Sequence, residues 1–136
     1  MKTIKAEYIE NFRCKVHHEA SNSEVLTDTK KDATSVGFTP PELFVVSLVT
    51  CMATMIGYEA EALKLDVTGM KMAVAFQMSL DKPRRIEKIS TEFWIPCSVT
   101  AHQKELIEKA AENCPIAHSI HPNTEQSKKF YWEVKT

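Results

Sequence analysis

The stretch TPPELFVVSLVTCMATMIGYEAEAL, residues 39–63, decides the fold. Thr39 can cap a helix, Pro40 suits the first helical position, and Glu42 three residues after Thr39 completes a capping box. No residue from Leu43 to Tyr58 is charged. The helix predicted over 40–63 is about 36 Å long at 1.5 Å per residue. Leu43, Phe44, Val45, Val46, Leu48, Val49, Met52, Met55 and Ile56 occupy nearly every side of it. A helix apolar all round is a central one, wrapped by other elements. One sheet from one chain is too little to wrap it, which predicts an obligate homodimer. The uncharged run is shorter than the roughly 18 residues that suggest a membrane span, so no membrane partner is expected.

Strands flank this helix. Ile4, Ala6 and Tyr8 alternate with Lys5 and Glu7, and after Glu10-Asn11 the residues Phe12, Cys14 and Val16 alternate with Arg13, Lys15 and His17. A third short strand is expected around Val25-Leu26, then a polar loop from Asp28 to Ser35. Val67 to Leu80 has a period of two, with Met70, Met72, Val74, Phe76, Met78 and Leu80 on one face. Asp81-Lys82-Pro83-Arg84 supplies a turn, and Ile89, Thr91, Phe93, Ile95 and Cys97 mark the return strand. Thr100-Ala101-His102-Gln103 is a second capping box, opening a helix with Leu106, Ile107, Ala110, Ala111 and Cys114 on one stripe. Pro115 ends that helix, because it lacks an N–H and clashes with the preceding turn. A short turn to Ile120 follows, and Phe130, Trp132 and Val134 form a last strand. The order βββ-α-ββ-α-β is α+β.

The bulk properties fit one domain over residues 1–136, with 43% hydrophobic residues to build a core. A formal net charge of −1 with interspersed signs argues against nucleic acid as a partner. The first twenty residues carry charges throughout and show no apolar run, which reads as no secretion signal. Four cysteines in that context point to a reducing, cytoplasmic setting and free thiols.

Two of the four cysteines stand in distinctive places. Cys51 lies mid-helix, where residue type alone reads as a small buried hydrophobe. Cys114 sits at the Asn113-Cys114-Pro115 step, where free backbone N–H groups of a new turn can stabilise a thiolate. Ordinary packing beside Leu106 and Ala110 is the alternative there. There is no Cys-x-x-Cys pair, so a Cys51–Cys114 partnership would be long-range. Cys14 and Cys97 read as inward-facing strand residues. Cys114, His118 and His121, with Cys51 or His17 and His18, form a conceivable zinc set, but their spacing matches no standard finger or ribbon.

Three stretches together resemble the OsmC/Ohr family of osmotically inducible and organic-hydroperoxide-resistance proteins. They are Thr39-Pro40-Pro41-Glu42-Leu43-Phe44 running to Cys51, Pro83-Arg84-Arg85-Ile86 leading to Phe93, and Cys114-Pro115-Ile116 with Ser119-Ile120. The order of elements and the 63-residue cysteine separation match as well. The resemblance implies the OsmC-like fold, an intertwined homodimer and thiol-dependent reduction of organic hydroperoxides. It implies Cys51 as the peroxidatic cysteine, Cys114 as the resolving cysteine, an external dithiol as reductant, and no metal or organic cofactor.

One position departs from the resemblance. The well-studied peroxidases carry a glutamate ten residues before the first cysteine, holding an activating arginine; Pro41 stands there in this chain. Glu42, nine residues before Cys51, falls about 180° away on a regular helix at 100° per residue and is the cap partner of Thr39. Arg13 is the only arginine in the N-terminal strands, and alternation puts it opposite Phe12, Cys14 and Val16, facing solvent. The departure suits a second reading, in which a non-catalytic member of this fold binds a small hydrophobic molecule at the dimer interface.

Overall fold

The computed structural model describes residues 1–29 and 35–134 and resolves into two compact units, Met1–Phe44 and Val45–Thr136. The loop expected from Asp28 to Ser35 therefore lies largely outside the described residues.

In the first unit, β1 (Lys5–Glu10), β2 (Arg13–His18) and β3 (Ser23–Thr27) form an antiparallel meander. The β1–β2 turn puts Asn11 and Phe12 at φ 51° and 63°. Two successive positive φ values match the right-handed twist of the flanking strands. The bend therefore absorbs Phe12, which alternation had assigned to the strand. Tyr8 Oη accepts a hydrogen bond from the Phe12 N–H at 3.3 Å. Beyond β3, the Asp28 N–H donates to the Phe38 carbonyl at 2.9 Å, and Thr27 bridges Phe38. That close approach requires a glycine at 37, since a Cβ there would overlap the Leu26 carbonyl. Ile4, Tyr8, Ile9, Val25 and Leu26 all remain exposed.

Helix α1 (Pro40–Ala62) starts at the end of the first unit and continues through the second. Its capping box is formed: the Thr39 N–H donates to Glu42 Oε1 at 2.8 Å, and the Glu42 N–H to Thr39 Oγ1 at 3.3 Å. By length and mean hydropathy α1 could cross a membrane. Val45, Leu48, Val49, Met52, Ile56 and Ala60 are instead buried.

The second unit is built on a sheet in which β5 (Ile86–Ile95) lies between antiparallel β4 (Lys71–Met78) and parallel β6 (Glu125–Trp132). Alternation sends Ile89, Thr91, Phe93 and Ile95 of β5 into the core, with Phe93 fully buried. The parallel register sets Phe93 opposite Phe130, rings stacked 5.2 Å apart. Emptying such a site costs about 3–5 kcal/mol on Phe→Ala. Buried Thr91 is satisfied by donating to the Ser127 carbonyl at 3.3 Å.

Two expectations need correction. The strand predicted over Val67–Leu80 starts only at Lys71. Asp66 Oδ1 accepts from the Thr68 N–H, Gly69 takes φ 85°, and the Met70 N–H returns to the Val67 carbonyl, so the chain turns there. Cys97 is not a strand residue: β5 stops at Ile95, ahead of Pro96.

The crossover from β5 to β6 carries α2 (Ala101–Glu112) and α3 (Pro115–Ser119). Thr100 and Gln103 form the expected capping box on α2, closed by hydrogen bonds of 2.9 and 3.1 Å. The segment read as a turn to Ile120 is the short helix α3, which Pro115 can open because its missing N–H would have no partner there.

Candidate functional site

The site begins with two helix positions. Asn113 closes α2, its N–H bonded to the Lys109 and Ala110 carbonyls. Cys114 then takes an extended conformation, φ −68° and ψ 127°, as the N-cap of α3. Its side chain closes no cap hydrogen bond. It turns into the core, where its exposure is 0%.

Cys51 comes from the middle of α1 and packs against the same core, half-buried. Its thiol is close enough to act on that of Cys114. The fold thus brings together two thiols 63 positions apart, and neither is in a disulfide. The Cys114 thiol is pushed above its ordinary range, first by burial and next by the neighbouring Cys51 thiol; the Ile116 and Ala117 N–H groups oppose the shift. Cys114 therefore holds its proton, and its S–H can be donated to Cys51.

Thr50 Oγ1 donates to the Val46 carbonyl at 2.8 Å and Thr54 Oγ1 to the Thr50 carbonyl at 2.9 Å, which folds both side chains onto the helix. A groove of about 480 Å³ lies between α1, α2 and α3, lined in part by Glu59, Lys109, Asn113 and His118, but neither thiol lines it.

Cys97 is half-buried, its thiol raised first by burial and further by the Asp66 carboxylate. Cys14 lies in β2. Among the described residues, no three His, Cys, Asp or Glu side chains gather as a metal ion would require; His118 and His121 are exposed.

Arg13 is not the surface residue that alternation suggested. Its side chain is 28% exposed, and its Nε lies 3.3 Å from Oδ2 of Asp28, itself only 4% exposed. Asp28 was missed because it was read as the start of a loop. Its signal was local: an aspartate at a strand end can accept from the backbone just beyond it. Asp28 takes the N–H groups of Thr29 at 2.7 Å and Val36 at 3.0 Å.

The family model described as OsmC-like protein matches residues 29–127. No curated protein matches. A crystal structure from Psychrobacter arcticus 273-4, provisionally named an osmotic stress induced and detoxification response protein, is 29% identical over 96% of both chains, with TM-score 0.89. An organic hydroperoxide resistance protein OsmC from Legionella pneumophila is 15% identical, covering 96% of this chain and 98% of its own, with TM-score 0.73. One from Elizabethkingia anophelis is 18% identical over 96% of both, with TM-score 0.71. For the last two the likeness is one of fold.

Proposed function

The chain belongs to the OsmC-like protein family, and from that membership we propose that it is a thiol-dependent peroxidase that reduces organic hydroperoxides. The observation carrying this reading is that the free thiols of Cys51 and Cys114 share one core cluster, one half-buried and one fully buried. In the first step the Cys51 thiolate attacks the distal peroxide oxygen. The O–O bond breaks, the alcohol departs with a proton, and Cys51 becomes a sulfenic acid. Cys114 keeps its proton through this step because its thiol is held above the usual range. In the second step the Cys114 sulfur attacks the sulfenic sulfur, water leaves, and a disulfide closes. An external dithiol then returns both thiols. No metal or organic cofactor enters the cycle, the working form is a homodimer, and the setting is cytoplasmic.

The rate should lie below that of family members with the full activating set. Pro41 stands at their glutamate position, and Glu42 is engaged in the α1 cap.

Titration of free thiols before and after an alkyl hydroperoxide tests the reading. Two thiols per chain should disappear in the wild type and none of that pair in Cys51→Ser. Unchanged thiols in the wild type at excess peroxide would favour a non-catalytic member binding a small hydrophobic molecule.

A further inference from the structure

We propose that the water-facing side of the β4–β5–β6 sheet binds a neutral sugar, one pyranose ring lying between Trp94 of β5 and the alanines of β4. The site is independent of the peroxidase reading and uses neither thiol.

Strand alternation separates the two faces of the sheet. Ile89, Thr91, Phe93 and Ile95 point into the core that α1 shares, so Ser90, Glu92 and Trp94 point away from it. A dimer contact through α1 lies on the core side of the sheet, opposite this face. On the water side, Trp94 and Tyr131 pair across β5 and β6 and stack 5.3 Å apart at 9°. Trp94 is half-buried and Tyr131 exposed. Tyr131 takes one face of the indole, so the other face looks toward β4. There β4 presents Ala73 and Ala75, a residue type that strands disfavour because it leaves the pleated surface unfilled. The result is a hollow of about 230 Å³, lined by Ala73, Ala75, Ser90 and Glu92.

The polar groups at this end of the face are unspent. Lys88 and Glu125, further along it, pair at 3.5 Å. Among the described residues, the side chains of Ser90, Glu92, Trp94 and Tyr131 close no hydrogen bond or ion pair. A sugar ring offers a flat face of C–H bonds and an edge of adjacent hydroxyls. Its C–H face packs on the indole, while the Glu92 carboxylate accepts from two neighbouring hydroxyls and Ser90 Oγ gives or takes a third bond. The hollow lies below the roughly 300–1,000 Å³ of drug-sized sites, which selects a single ring. Lys71, opposite Trp94, and Glu92 put both signs at the rim, which favours a neutral ligand over an ion of either sign.

Saturation-transfer NMR on the full chain tests the site with three probes, the methyl glycosides of β-D-glucose, β-D-galactose and α-D-mannose. At least one should bind saturably, with half-saturation at about 1–10 mM, as befits one ring. Trp94→Ala and Glu92→Gln should each raise that concentration at least about fivefold. Ala73→Leu fills the hollow without touching a polar group and should abolish binding. Trp132→Phe, on the core face, should bind as the wild type does. The far-UV spectrum of each variant checks that it folds, and Glu92→Gln decides the matter alone if the others do not. No saturable binding of any of the three glycosides, or binding that survives Ala73→Leu or Glu92→Gln unchanged, would overturn the proposal.

Discussion

Arg13 and Asp28 face each other across the first sheet, Nε to Oδ2 at 3.3 Å, because the β2–β3 register that pairs Cys14 with Thr27 sets the next residues opposite as well. The pair fastens the end of β3 to the start of β2. Asp28 also takes two backbone N–H groups, so one carboxylate gathers three donors. Its pKa is lowered, first by the Val36 N–H, with Thr29 and Arg13 adding and burial opposing.

A carboxyl with a depressed folded pKa stabilises the fold above its unfolded value, about 3.9, and that contribution is lost as pH falls through the folded value. Urea midpoints should therefore drop on acidification below about pH 4. Asp28→Asn should flatten that drop. An acid profile identical in variant and wild type would refute the assignment.

The same pairing bears on thiol activation. A guanidinium already paired with a carboxylate projects a weaker field than a free one. Arg13→Ala should lower stability yet move the pH midpoint of Cys51 alkylation by less than about one unit, equivalent to ~1.4 kcal/mol. A wild-type midpoint well below neutrality that climbs in Arg13→Ala would instead make Arg13 the activating cation.

Cys114 should leave a mark at the alkaline end. Its folded pKa is raised, so the stability from its neutral, buried thiol is fully present below the unfolded thiol value of about 8.5. It is lost as pH rises through the folded value. Cys114→Ala should cost on the order of 1 kcal/mol at pH 7 and lose much of the alkaline fall in the denaturation midpoint. An unchanged alkaline profile would place the cause elsewhere.

The dimer is testable on α1. Phe44 is 44% and Tyr58 66% exposed in the single chain, with Thr54 exposed between them. Sedimentation at micromolar concentration should give a dimer, and Thr54→Arg should shift it toward monomer by charging that face. A wild-type monomer under those conditions would count against the assembly.

Much of this fold was legible because caps and periodicity agreed. Both capping boxes formed where Thr39 and Thr100 indicated, and β4 and β5 alternate as their sequences do. The strand misreadings share a cause: apolar alternation runs on through places where turn chemistry rules. Met70 continues the period of two back into a turn made by Asp66 and Gly69, and Cys97 lies beyond a proline. Arg13 departs from the alternation because its partner Asp28 lies just past the end of β3, in a register no local pattern contains. Cys51 and Cys114 could be nominated by family resemblance, but 63 intervening residues carry no local signal that their side chains meet.

The parallel pairing of β5 with β6 has a consequence for how the thiol pair comes into being. Lys88 pairs with Glu125 and Ile95 with Trp132, so every rung of this ladder closes a loop of 37 residues, and Cys114 rides inside that loop. Such non-local pairings form slowly, since loop closure must precede the contacts that reward it. As the chain emerges from the ribosome, Cys51 is synthesised well before Trp132 is available to complete the ladder. The two sulfurs therefore meet late in folding, and the nascent chain passes through a stage in which Cys51 exists without its partner.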